Sequence, residues 1–161
     1  MVAIQIMPLP TALSIPPHPE ASQAKLDALR DRLHRRCVIT GPDNPVGLKL
    51  KFKVLEDGSV RAIFPCGPHL ESYPNTVHGG IIAAVLDSAM VNALFAVGIV
   101  AVTASLDLRY KAPTVPDRFA TVRAWIENDD ARPLYRMRAE LIQDGTPRVQ
   151  AGANFLVNED S

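Results

Sequence analysis

The chain has no net charge, few cysteines and no repeat. Seventeen Lys and Arg balance seventeen Asp and Glu in 161 residues. It therefore lacks the basic footprint that DNA, RNA or an anionic lipid surface would need, and no nucleic-acid partner is expected. Only Cys37 and Cys66 are present. Their separation is neither a metal-ligand nor a redox spacing, which suits buried or free thiols in a reducing compartment. The first residues carry neither the basic segment nor the long apolar core of a secretion signal, so a cytoplasmic protein is expected. There is no low-complexity tract beyond a proline-rich start. With 47% hydrophobic and 21% charged residues, this length suits one globular unit with a real core.

Charge is also missing from Gly79 to Leu106, where Asp87 is the one charged residue. A membrane span needs about 20 apolar residues. Asp87, Asn92, Gly98 and the β-branched stretch Ile99 to Thr103 count against one, and no span is expected. A helix that is apolar all round otherwise belongs in a core. A carboxylate enclosed by Ile, Ala, Val, Leu and Met loses hydration unless something compensates. A structural ion pair is one reason to keep it there; chemistry is the other, and the one expected here.

Pro8, Pro10, Pro16, Pro17 and Pro19 deny residues 1–19 a helix and predict an extended arm. Residues 20–36 read as an amphipathic helix with Pro19 in its first turn and Leu26, Leu29 and Leu33 on one face. A turn at 40–45 follows. Residues 46–55 and 59–64 then read as strands joined by the hairpin signal Asp57-Gly58. The helix opened by Gly79-Gly80 should run to about Val97. Four β-like stretches come after it, over residues 101–112, 118–127, 134–143 and 148–157. In the first, alternation sets Val102, Ala104, Leu106, Leu108 and Tyr110 against Thr103, Ser105, Asp107, Arg109 and Lys111. One long apolar helix followed by consecutive strands predicts an α+β fold, with an antiparallel sheet wrapped around that helix.

Three stretches become recognisable together: Tyr73-Pro74-Asn75-Thr76-Val77-His78-Gly79-Gly80 with Asp87 nine positions after the histidine, Val102 to Pro113, and the closing strand from Gly145 to Phe155. As a set they resemble the hotdog-fold acyl-CoA thioesterases of the PaaI and THEM type. Residues 41–48 resemble the opening loop of the THEM-like branch. The resemblance covers residues 37–157 and implies a curved antiparallel sheet around a central helix. It divides the chain into an arm and helix over 1–36 and a hotdog domain over 37–161. Two positions depart from the pattern. Ser72 stands where many PaaI-type enzymes have an asparagine six residues before the histidine, and Thr40 replaces the second cysteine of a Cys-x-x-Cys-Gly loop, so no metal site is expected.

Thioester hydrolysis asks for a polarised carbonyl and an activated water. First-turn helix amides have no intrahelical partner, so the Gly79 N–H is a candidate oxyanion donor. Asp87 is the candidate general base, or a nucleophile forming an anhydride. Gly80 and Asp87, seven residues apart, differ by only about 20° around a helix. The resemblance makes Thr103 the hydroxyl that orients the water, with Ser105 as the competing position; strand parity puts both on one side. It gives His78 the work of positioning the loop and the thioester. Asn75, Gly80, Ser88, Ser105, Arg109 and Lys111 are the candidate substrate-binding residues. The last two are offered to the CoA phosphates, although Arg132, Arg136 and Arg148 are equally eligible and strand-flanking cations are commonly only solvated. Met90, Leu94 and Phe95 line an acyl pocket or are plain core. The expected activity is hydrolysis of an acyl-CoA to acid and CoA, without a cofactor. It would occur in a homodimer or a dimer of dimers, with the carboxylate from one chain and the His-Gly loop from the other. A non-catalytic acyl-CoA binding module and a hotdog enoyl-CoA hydratase or dehydratase are the alternatives.

Overall fold

The apolar segment after His78 folds as a helix whose two ends are closed by its own residues. At the start, the His78 side chain accepts a hydrogen bond from the Gly80 amide. At the end, Gly98 takes φ +82°. The Gly98 and Ile99 amides return to the carbonyls of Phe95 and Leu94 at 3.0 Å each. This six-to-one closure requires a left-handed residue that glycine adopts without strain.

A computed structural model describes residues 15–129 and 132–157. The elements are α1 (Gln23–Leu33), β1 (Lys53–Val54), β2 (Val60–Cys66), a short 3-10 helix (Pro68–Leu70), α2 (Gly79–Ala96), β3 (Ala101–Tyr110), β4 (Arg118–Asn128), β5 (Leu134–Gln143) and β6 (Thr146–Val157). The strands form one curved antiparallel sheet in the order β1-β2-β4-β5-β6-β3. Central helix α2 lies against β2, β3, β4 and β5. This is the expected α+β hotdog arrangement. Strict alternation builds the concave face: Val60, Ala62 and Phe64 from β2, Ala120, Val122 and Ala124 from β4, Met137, Ala139 and Leu141 from β5, and Val149, Ala151 and Ala153 from β6 are all buried. The many alanines leave room for a helix to settle closely on the sheet. By length and composition α2 could cross a membrane, yet most of it is buried within this fold.

Three expectations change in extent. The first helix is shorter than 20–36 because Ser22, not Pro19, begins it, its side chain accepting from the Lys25 amide. The strand expected over 46–55 shrinks to Lys53–Val54. Lys49 has φ 54°, which breaks the extended run, and the Leu48 and Leu50 amides bond the carbonyls of Val38 and Ile39 instead of a neighbouring strand. The last strand starts two residues early, at Thr146. The hairpin at Asp57-Gly58 forms as expected. There Gly58 needs both φ +81° and the absence of a side chain, since a Cβ would lie 2.6 Å from the His18 carbonyl. Most of the expected proline arm, residues 1–14, falls outside the described residues.

Helix α1 packs on α2, and the Ser22 amide donates to the Ala96 carbonyl at 2.9 Å. Leu26, at 0% exposure, is the α1 residue fully inside the core. Leu26→Ala is expected to cost about 2–5 kcal/mol, read as a lower urea midpoint. A change below about 0.5 kcal/mol would mean that α1 is not integral to the fold.

Candidate active site

The segment leading into α2 is held from both sides. The His78 amide donates to the Leu70 carbonyl of the 3-10 helix at 2.7 Å, and the Val77 amide to the Thr114 carbonyl at 2.9 Å. The loop carrying Thr114 is fixed in turn by buried Gln143, whose amide accepts from the Val115 N–H and donates to the Val115 carbonyl, both at 2.8 Å. The first helical turn is therefore oriented by tertiary contacts. Within it, the Gly80 N–H is taken by His78 Nδ1 at 2.9 Å. The Ile81 and Ile82 amides bond the His78 carbonyl at 3.0 and 3.2 Å. The Gly79 N–H has no partner among the described residues, which separates it from Gly80 as an available donor.

Asp87 is half-buried, not enclosed on every side, because it lies on the part of α2 that the sheet leaves uncovered. Its Oδ1 accepts a 2.7 Å hydrogen bond from the Thr103 hydroxyl. Ser105 is elsewhere. Thr103 pairs with Phe155 and Ser105 with Asn154, so Ala104 is an extra residue bulging out of β3. The bulge reverses the alternation, and Thr103 joins Leu106, Leu108 and Tyr110 on the helix side. Ser105, Asp107 and Arg109 face outward with Val102. Ser105 Oγ accepts from Asn154 Nδ2 at 2.9 Å instead. The expected shared side for Thr103 and Ser105 is thus overturned by one inserted residue.

Asp87 and Thr103 stand in a groove of about 480 Å³, completed by Leu33, His34, Val91, Phe95 and residues 100–102. Of the three apolar residues expected to line a pocket, Phe95 does so; Met90 and Leu94 are core, at 0% and 1% exposure. Leu33 was read only as part of the apolar face of the first helix and His34 was not read at all, since nothing in the sequence relates that helix to Asp87. A second cleft of about 260 Å³ lies at the start of α2, between His69, Leu70, Glu71, His78, Gly80 and Ile81. Ser88 is buried away from both clefts. Asn75 is exposed on the preceding turn, its amide donating to Glu71 Oε1 at 3.3 Å. Arg109 is exposed on the outer face of β3, opposite Gln150, and exposed Lys111 follows the strand end. Tyr110 was read only as part of an apolar stripe; its hydroxyl donates to the Gly79 carbonyl at 2.6 Å. No group of three or more metal-ligating side chains comes together among the described residues.

Residues 74–128 match the thioesterase superfamily. That segment runs from the turn before α2 to the end of β4, and the fold around it is the hotdog arrangement of solved thioesterase superfamily structures. The chain is 32% identical over 95 residues to the acyl-coenzyme A thioesterase THEM4 of Rattus norvegicus, covering 58% of this chain and 41% of that one. It thus spans about two fifths of the length of that curated relative. A crystal structure of a thioesterase superfamily protein superposes with a TM-score of 0.71 at 28% identity, over 76% of this chain and 63% of the other. Two more distant structures share the fold. The PaaI protein of the E. coli phenylacetic acid degradation operon has a TM-score of 0.70 at 12% identity, covering 84% of this chain and 94% of its own. A hypothetical thioesterase of Streptococcus pneumoniae, solved with coenzyme A, has a TM-score of 0.63 at 18% identity, covering 68% and 85%. That protein was also solved with an aspartate and with a threonine sixteen residues later each replaced by alanine.

The two cysteines differ sharply within this fold. Partial burial pushes the Cys37 thiol up, but hydrogen bonds from His34, Thr40 and the Ile39 and Thr40 amides outweigh it and bring it down to about 6. Burial pushes Cys66 up to about 11. At neutral pH iodoacetamide should therefore label Cys37 and spare Cys66, with Cys37 labelling fading as the pH falls through about 6. Peptide mapping after alkylation at a series of pH values checks this; equal labelling of both thiols contradicts it.

Proposed function

We propose that the protein is an acyl-CoA thioesterase in which Asp87 activates the attacking water, Thr103 orients it, and the Gly79 amide stabilises the oxyanion. The observation that carries this reading is the 2.7 Å Thr103–Asp87 hydrogen bond at the mouth of an apolar groove. Thr103 occupies one carboxylate oxygen with its single proton and keeps its lone pairs for a water. The other carboxylate oxygen, with no partner among the described residues, takes the water's proton as attack begins. The sixteen-residue separation of Asp87 and Thr103 equals that of the aspartate and threonine replaced in the Streptococcus pneumoniae thioesterase structures, which supports pairing them. The acyl group fits the groove between Phe95, Val91 and Leu33, and the coenzyme A found with that thioesterase supports a CoA thioester as substrate.

One chain does not complete this chemistry. Gly79 and Asp87 are eight residues apart on one helix, so about 12 Å of axial rise separates the oxyanion donor from the base. A carbonyl and the water attacking it need both groups within about 3 Å. The carboxylate of one chain must therefore work with the helix start of a second. Strand β3 ends the sheet with an unpaired edge, and Val102 and Tyr110 on it are 55% and 52% exposed. A dimer that joins two β3 edges gives the composite site.

Free thiol released from short, medium, long and aromatic acyl-CoAs tests the activity. Turnover of none of them, or an enoyl-CoA absorbance change without thiol, would reject it. Asp87→Asn should lower turnover by about 100-fold or more. Thr103→Ala should lower it by about tenfold, and Ser105→Ala by less than about twofold. Gly79→Pro removes the Gly79 N–H at a first helical position that proline suits, after His78, whose ψ of 125° is in the extended range that proline favours before it. It should cost about 100-fold in rate. Mixing the inactive Asp87→Asn and Gly79→Pro chains should restore activity through dimers with one intact site; no recovery after subunit exchange counts against a shared site.

A further inference from the structure

Tyr110 sits at the end of β3, with its ring against the start of α2. A Cβ on Gly79 would lie 3.4 Å from the Tyr110 ring. Its hydroxyl donates to the Gly79 carbonyl at 2.6 Å, and the amide on the other side of that same peptide, Gly80 N–H, donates to His78 Nδ1 at 2.9 Å. The three groups form one line of hydrogen bonds running from tyrosine through a peptide unit to imidazole. Each donor in such a line polarises the next. A neutral imidazole has one donor nitrogen and one acceptor nitrogen, so a ring that accepts at Nδ1 carries its proton at Nε2.

We propose that Tyr110 is a positioning residue: through the Gly79–Gly80 peptide it holds His78 in the Nε2–H form, so that the imidazole offers a fixed donor to the substrate in the cleft beside His69 and Glu71. This rests on the acyl-CoA reading above, and it assigns a task to a side chain that touches neither Asp87 nor Thr103. Without the tyrosine hydroxyl, the Gly79–Gly80 peptide plane loses the contact that fixes its tilt, and the Gly80 N–H no longer aims steadily at Nδ1. The ring is then free to exchange its proton between nitrogens. Part of its population then presents a lone pair to a group that needs a donor. The tyrosine is suited to the role, since burial pushes its hydroxyl above the ordinary phenol range and keeps it a donor throughout the neutral range. Strand β3 thus serves the site twice, with Thr103 near one end on Asp87 and Tyr110 at the other on Gly79.

The test is the ring spectrum of His78 in uniformly ¹⁵N-labelled protein, assigned with His78→Gln, compared between the parent and Tyr110→Phe. The parent should show the Nε2–H pattern, with Nδ1 as the unprotonated nitrogen. Tyr110→Phe should move both ring nitrogens toward averaged positions and lower kcat by about tenfold, with KM within about twofold. Two outcomes overturn the proposal: an Nδ1–H pattern in the parent, or a Tyr110→Phe variant whose ring signals and kcat both match the parent. The parent spectrum does not depend on the Tyr110→Phe chain, so if that chain misfolds an Nδ1–H pattern in the parent still overturns the proposal. It also needs no turnover: an Nε2–H ring in a protein that hydrolyses no acyl-CoA defeats the functional reading and keeps the tautomer, whereas an active protein with the opposite ring pattern does the reverse.

Discussion

A helix of eighteen residues with one carboxylate and no cation has to be wrapped, and wrapping it decides where everything else goes. The sheet supplies the wrapping by putting small and branched side chains of β2, β4, β5 and β6 on one concave face. Burial of that much apolar surface is the dominant favourable term in such a fold. Yet a sheet covers a helix only from one side. Helix α1 covers part of the rest, and the strip still uncovered is where Asp87 lies. The carboxylate therefore keeps access to water while its helix neighbours Leu86 and Ser88 have lost it.

The edge strand adds the second constraint. A regular strand would have turned Thr103 and Ser105 the same way, and one of them would have been redundant at Asp87. The bulge at Ala104 lets β3 present Thr103, Leu106, Leu108 and Tyr110 to the helix, with Ser105, Asp107 and Arg109 turned outward. Two hydrogen bonds from this strand, 2.7 Å to Asp87 and 2.6 Å to Gly79, tie the two ends of the candidate site to the same element. Since β3 is also the unpaired edge of the sheet, the element that shapes the site is the one on which a second chain would join.

Much of this was legible in the residues, and the reasons differ by element. The His78-Gly79-Gly80 opening and the lone Asp87 are local signals: capping and missing charge act within a turn or two. The later strands follow from period-two alternation between turn residues. Residues 46–52 failed as a strand because a left-handed Lys49 and bonds to Val38 and Ile39 depend on a loop elsewhere in the chain. Leu33 and His34 were missed as groove residues for a similar reason, since α1 reaches the Asp87 groove only by packing on α2. Of the residues offered for binding, Ser88 is turned inward by its place on the helix and Asn75 is exposed on a turn with φ 60°.

Neighbouring residues were enough for the class of fold, the central helix and the candidacy of Asp87 and Gly79, because capping, periodicity and the shortage of charge act locally; the roles of His78 and Thr103 came from the family resemblance. Tertiary structure alone decided that Thr103 and not Ser105 meets Asp87, that the Gly79 amide is the free one, and that Tyr110 reaches its carbonyl. Each of these turns on a strand register or a contact between segments that are distant in the chain, from sixteen residues for Asp87 and Thr103 to 49 for Ser105 and Asn154, and a shift of one residue exchanges the two faces of a strand.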